Sequence, residues 1–272
     1  MSQIIDGRAL AKEHELALTH KLLTINYKPV LVSILVGDDA GSVLYTDIKQ
    51  KKAQELGIDF RVARLNEDSL VQDISDKICK LNKDNQVTGI MIQLPLPRNF
   101  TKEQSEQLVN LIEPSKDVDG LRLSSPFMAA TVRGVMSLLD EAQVNLSDKT
   151  VVVVGAKGEI GSRLMKVLES KVQKLIGIDR NTQNLVELTL QADVLISSTG
   201  QPGIIKGEMV KEGAVVVDIG SEKLADGKVV GDIDFASVVL KASKITPVPG
   251  GVGPMTVISL MENVAEAAEK LA

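Results

Sequence analysis

Short apolar runs alternate with stretches of helical spacing from one end of the chain to the other. Residues 29–36 (PVLVSILV) are apolar, rich in β-branched side chains and closed by Gly37, which predicts a buried strand. Residues 42–56 carry helical spacing up to Gly57, and 59–65 alternate as a second strand. Helical spacing returns over 71–81, and 87–93 (VTGIMIQ) read as a third strand, broken by Pro95 and Pro97. Thr101 stands three residues before Gln104, a capping box that starts a helix over 101–111. A helix over 130–142 joins a second half that opens with 150–154 (TVVVV) and continues through strands at 174–179, 193–199, 214–219 and 244–248. Pro254 suits the first turn of a last helix that reaches the C-terminus. This alternation predicts parallel sheets covered by helices, an α/β fold of two lobes with a cleft between them.

The turn after 150–154 gives the second lobe a Rossmann-like character. Gly155-Ala156-Lys157-Gly158-Glu159-Ile160-Gly161 joins a strand to a helix, where backbone N–H groups can approach a pyrophosphate without interference from side chains. The spacing is G-x-x-G-x-x-G, so the motif alone is only moderately specific, and a ligand-free tight turn is its bland counterpart. Asp179, at the end of the next strand, has the offset expected of a ribose-binding carboxylate.

Composition narrows the classes. A net charge of −5 provides no basic patch for nucleic acid, and no apolar run approaches the roughly 20 residues of a membrane span. Residues 1–6 lead into a helical pattern without signal-peptide character, and one Cys excludes an internal disulfide, so a cytoplasmic setting is expected. No metal site is expected. Aromatics are only 2% of the residues, which makes a Tyr inside a polar motif a candidate for stacking on a flat ligand.

Four further segments are hard to explain as packing. Tyr45 and Lys49 lie four apart on one helix face. Gln93-Leu94-Pro95-Leu96-Pro97 ends a strand with a polar side chain and a rigid turn. Lys116-Asp117-Val118-Asp119-Gly120 concentrates charge in one loop, and Thr246 to Thr256 (TPVPGGVGPMT) is a stiff, glycine-rich entry to the last helix. Together with Ile5-Asp6-Gly7, Gln201-Pro202-Gly203 and Gly231-Asp232-Ile233-Asp234-Phe235, these resemble the bifunctional methylenetetrahydrofolate dehydrogenase/methenyltetrahydrofolate cyclohydrolase family over nearly the whole chain.

The resemblance implies oxidation of 5,10-methylenetetrahydrofolate by hydride transfer to a nicotinamide, then hydrolysis of the methenyl product to 10-formyltetrahydrofolate. It implies a folate-binding catalytic domain at 1–140, with the helix at 254–272 packing back on it, a dinucleotide domain at 141–253, and a homodimer. Lys49 is then the catalytic residue for water activation, oriented by Gln93. Tyr45 lies against the substrate and helps position Lys49, while Asp119 accepts hydrogen bonds from the pterin edge. Asp117 caps its turn as a structural residue. Gly250, Gly251 and Pro254 approach the substrate, and Gly155, Ala156, Lys157, Gly158, Gly161, Asp179, Arg180, Gly200 and Ser221 form the cofactor set.

Three departures from the family stand out. Gly155-Ala156-Lys157 replaces a Gly-Arg-Ser triplet whose Arg helps hold the 2′-phosphate of NADP. Asp179 suits the free ribose hydroxyl of NAD, whereas Lys157 and Arg180 offer replacement charge, so NADP is expected with NAD as its competitor. Ala129-Ala130-Thr131-Val132 stands where Pro-Cys-Thr-Pro is typical, and residues 121–128 form a shorter segment than the family's. Two alternatives therefore stay open: a single-activity, NAD-dependent dehydrogenase, and a non-catalytic folate- or dinucleotide-binding protein.

Overall fold

A computed structural model of the chain describes residues 2–224 and 226–271. The elements run β1 (Gln3–Ile4), α1 (Gly7–Leu23), β2 (Val30–Val36), α2 (Ala40–Glu55), β3 (Asp59–Leu65), α3 (Val71–Lys83), β4 (Gly89–Ile92), α4 (Lys102–Asn110) and α5 (Ala130–Glu141). They continue as β5 (Thr150–Val154), α6 (Glu159–Leu168), β6 (Lys174–Ile178), α7 (Leu185–Thr189), β7 (Val194–Ser197) and β8 (Val215–Asp218). The last are β9 (Glu222–Lys223), β10 (Val229–Val230), α8 (Phe235–Val238), β11 (Lys244–Ile245) and α9 (Val252–Leu271). Two compact units result, one of Met1–Lys12 with Thr131–Thr256, the other of Glu13–Ala130 with Val257–Ala272.

The second of these units holds a parallel sheet in the order β3-β2-β4. Every residue of the central β2 is buried, which explains its unbroken apolar sequence: a parallel strand covered on both faces has no polar side to alternate with. Helix α2 starts two residues earlier than its spacing predicts, because Asp39 caps it by accepting a hydrogen bond from Ser42 N at 2.9 Å. The Thr101–Gln104 capping box forms as read, with Gln104 N donating to Thr101 Oγ1 at 3.2 Å and Thr101 N to Gln104 Oε1 at 2.8 Å. Within the same unit, α9 is tied to the loops on either side of residue 120. The buried Asn263 amide donates to Val118 O at 2.8 Å and to Met128 O at 2.9 Å.

The other unit carries a six-stranded parallel sheet in the order β1-β11-β8-β7-β5-β6. The sequence pattern predicts β5 within its observed bounds but gives no sign of β1, whose two residues are too few to show a period. The backbone supplies what the pattern cannot. Gln3 N donates to Ser243 O and Ile5 N to Ile245 O, at 2.8 and 2.9 Å. The Ile5-Asp6-Gly7 motif gains a steric reason here, since a Cβ on Gly7 would strike the Gly251 carbonyl. Among the described residues, no helix is long and apolar enough to cross a membrane.

Replacing Asn263 by Ala removes the donor for two carbonyls and should lower unfolding stability by about 2–3 kcal/mol, read from the midpoint of a denaturant titration. An unshifted midpoint would show that the tie contributes nothing.

Candidate active site

Ser42, Thr46, Lys49 and Ala53 form the buried stripe of α2, with the half-buried Tyr45 one turn before Lys49. Lys49 is only 8% exposed, and its Nζ donates to Gln93 Oε1 at 2.9 Å. Gln93 lies just beyond β4, where its N–H still donates to Ile34 O at 2.9 Å. Its own side-chain amide donates to Leu94 O at 2.9 Å, which fixes which end of the amide faces the lysine. Burial pulls the Lys49 pKa below the ordinary lysine value, and the Asp119 carboxylate opposes that pull. Gln93 and Asp119 thus both act on Lys49, and Tyr45 lies one turn before it on α2.

The loop carrying Asp119 is pinned on both flanks. Lys116 Nζ donates to the carbonyls of Leu81, Asn82 and Asp84 at 3.0, 2.9 and 2.7 Å, satisfying acceptors around the C-terminal end of α3. Asp117 is buried and accepts hydrogen bonds from Leu121 N and Arg122 N at 3.3 and 3.0 Å. Gly120 has φ +72°, and a Cβ there would meet the Ala129 backbone at 2.6 Å. Asp119 O accepts from Ala130 N at 3.1 Å. Arg122, the second residue of the short 121–128 segment, donates through its guanidinium to the carbonyls of Asn110 and Ile112.

The glycine turn belongs to the other unit. Gly155 N and Ala156 N both donate to Ile178 O, at 2.8 and 2.9 Å, which holds the turn against the end of β6. Gly155 has φ +89°, a Cβ on it would strike Ser198 O, and a Cβ on Gly161 would strike Gly155 O. Gly158 occupies the N-cap of α6 without a side-chain cap, so the first-turn N–H groups of this ten-residue helix have no side chain of the cap residue on them. Lys157 pairs with Asp179, which also accepts from Asn181 N at 2.8 Å. The lysine pulls the Asp179 pKa below the usual carboxylate value. Arg180 follows as an exposed residue, and Gly200 and Ser221 lie exposed in the loops after β7 and β8.

Gly250, with φ +119°, and the buried Gly251 lie in this same unit, and Pro254 is the third residue of α9, which begins two residues before its predicted start. The expected substrate set is thereby shared out: Tyr45, Gln93 and Asp119 fall in one unit, Gly250, Gly251 and Pro254 in the other. One feature escaped the sequence reading. The carboxylates of Asp218 and Asp232 are buried side by side at the ends of β8 and the 229–231 stretch. An acid ending a valine strand (VVVD) was the available signal.

Comparison with known proteins follows from this geometry. Residues 5–119 match the "Tetrahydrofolate dehydrogenase/cyclohydrolase, catalytic domain" family, and residues 129–272 match the "Tetrahydrofolate dehydrogenase/cyclohydrolase, NAD(P)-binding domain" family. The chain is 39% identical to the bifunctional protein FolD of Hydrogenobaculum sp. (strain Y04AAS1), over 97% of this chain and 98% of that protein. The crystal structure of the bifunctional enzyme FolD from Campylobacter jejuni superposes with a TM-score of 0.93 at 36% identity, covering 99% of each chain. The Trypanosoma brucei enzyme, solved with NADP cofactor and an inhibitor, gives 0.92 at 29% identity, covering 99% of this chain and 98% of that one.

Burial pushes Asp117 up to about 6, above its value of 3.8 in an open chain. Its folded form therefore holds an extra proton between those values, and stability falls as pH rises through roughly pH 4–6. Asp117→Asn should flatten this part of the stability–pH curve. A curve that keeps the wild-type slope would assign the fall to another group.

Proposed function

The chain belongs to the tetrahydrofolate dehydrogenase/cyclohydrolase family, and we propose that it oxidises 5,10-methylenetetrahydrofolate to the 5,10-methenyl form with NADP and hydrolyses that product to 10-formyltetrahydrofolate. The observation that carries this reading is the buried Lys49 amine held on Gln93 within the electrostatic influence of the Asp119 carboxylate. Hydrolysis of a methenyl cation needs a group that takes a proton from water at moderate pH. An ordinary surface lysine stays charged there; one with a lowered pKa supplies the neutral amine. Gln93 holds that amine in place, and Asp119 accepts the N–H donors of the pterin edge. Tyr45 offers a flat face to the substrate. Residues 1–140 with 254–272 bind the folate in this reading, and 141–253 bind the dinucleotide.

The glycine turn fits a dinucleotide: its strand–helix setting leaves the first turn of α6 without a side-chain cap, and Lys157 and Arg180 flank the carboxylate at the end of β6. NADP bound there supplies the hydride acceptor. Gly155, Ala156, Gly158 and Gly161 present backbone to the pyrophosphate, with Gly200 and Ser221 in the adjoining loops. Lys157 takes the part of the family's missing Arg by exchanging Asp179 for the 2′-phosphate. Asp179 itself favours a second reading, NAD as cofactor, because a carboxylate suits the free hydroxyl. A cytoplasmic homodimer completes the proposal, the lone Cys79 suiting a reducing compartment.

Following nicotinamide absorbance with 5,10-methylenetetrahydrofolate and either cofactor, and separately the decay of the methenyl substrate, tests both halves. Activity in both, with NADP preferred, is expected; hydride transfer without hydrolysis would leave a single-activity enzyme, and stabilisation by ligand without turnover a binding protein. Lys49→Ala and Lys49→Arg should each slow hydrolysis at least about 100-fold, the guanidinium remaining charged throughout. Because the neutral amine is the base, wild-type hydrolysis should rise with pH and level off below the ordinary lysine range. Lys157→Ala should raise the KM for NADP about tenfold and leave that for NAD unchanged. Equal effects on both cofactors would remove Lys157 from the 2′-phosphate.

A further inference from the structure

The Asp218–Asp232 pair has no part in the chemistry above, yet it is among the most heavily bonded polar groups in its unit. Asp218 is 3% exposed and Asp232 1%. Asp218 Oδ1 accepts from Gly220 N and Asp232 N at 2.9 and 3.0 Å, and its Oδ2 accepts from Ile233 N at 3.0 Å. Asp232 Oδ2 accepts from Ser197 Oγ at 2.8 Å and Thr199 N at 2.6 Å, and its Oδ1 from Gln201 N at 3.0 Å. The glycines beside them leave no alternative: a Cβ on Gly220 would strike the Asp232 carboxylate, and one on Gly231 the Asp218 carboxylate.

Two neighbouring buried acids are a costly way to hold strands together, since each loses hydration and each repels the other's charge. Apolar side chains would close the sheet at lower cost. What only a carboxylate provides is several acceptor sites for the N–H groups of irregular loops. The loops it serves here are those after β7 and β8, at the carboxyl ends of parallel strands, where ligands of open α/β sheets bind. Asp232 bonds Thr199 N and Gln201 N, on either side of Gly200, and Asp218 bonds Gly220 N, immediately before Ser221. Ser198, next to the bonded Thr199, is the residue whose carbonyl abuts Gly155. A continuous line of backbone thus runs from the carboxylate pair to the glycine turn.

We propose that Asp218 and Asp232 are positioning residues for the dinucleotide, their carboxylates setting the shape of the loops that carry Gly200 and Ser221. The proposal rests on the cofactor reading above. It assigns the pair to cofactor affinity and leaves the hydrolytic half-reaction, centred on Lys49, outside its reach.

Asp232→Asn puts an N–H donor where the carboxylate accepts one, and Gly220→Ala keeps both acids but displaces Asp232. Each full-length variant is compared with wild type for KM and kcat with NADP, NADPH binding by nicotinamide fluorescence, decay of the methenyl substrate, and far-ultraviolet circular dichroism. The expected result is a cofactor KM and Kd raised at least about tenfold, the size of one lost hydrogen bond to a charged group, with methenyl hydrolysis within about twofold of wild type. An unchanged cofactor KM in a folded variant overturns the proposal. So does a parallel loss of hydrolysis, or loss of folding in both variants, either of which makes the pair a scaffold element only. A wild type that turns over neither substrate would sink the functional reading and this proposal with it; an active wild type with unshifted variants sinks this proposal alone.

Discussion

A lysine residue that is only 8% exposed has given up most of its hydration, and the charged form of its amine loses most by it. The surrounding unit is arranged to keep that amine in place without restoring its ordinary basicity. Gln93 offers a neutral acceptor, which holds Nζ yet stabilises the ammonium far less than a contacting carboxylate would. Asp119 acts on the amine through its charge and limits how far burial can drive the shift. Lys49 owes this burial to its place on the buried stripe of α2, with Ser42, Thr46 and Ala53. An exposed lysine on the same helix would be an ordinary surface cation.

The dinucleotide unit solves a different problem, the close approach of backbone to backbone. Glycines 155 and 161 are required first by protein packing, since a Cβ on Gly155 would collide with the Ser198 carbonyl and one on Gly161 with the Gly155 carbonyl. The N-cap glycine also leaves the α6 N-terminus without a side-chain cap from Gly158. In the proposed function, cofactor specificity falls to the Lys157–Asp179 pair. Lys157 is 79% exposed on its side chain, so the pair adds little to stability.

One device recurs in both units. With almost no aromatic side chains to wedge loops in place, the chain pins them with buried polar groups that each engage several backbone atoms. Lys116 caps three carbonyls, Asp117 two N–H groups, Asn263 two carbonyls, and Asp218 and Asp232 several N–H groups between them. In each case the pinned loop carries a residue of a proposed site, or adjoins one.

Local pattern was enough for many of the elements. β2, β3 and β5, the Thr101 capping box and the strand–glycine–helix turn are all written in short stretches of sequence, because strand burial, caps and tight turns depend on neighbours a few residues away. The residues of the proposed site were also legible, as motifs in a family's order. Their physical state was not. Lys49 and Gln93 are 44 residues apart in sequence, Asn263 and Val118 145 apart, and β1 exists only because β11 comes to lie beside it. Asp117 read as a turn cap, and its displaced acidity became visible only with its burial. Asp232 was legible only as part of a family motif and Asp218 not at all, and their pairing became visible only in the fold. Sequence determined which groups are present and how each segment is built; tertiary structure alone decided their hydration and their neighbours, and those set the charge of a buried amine or acid.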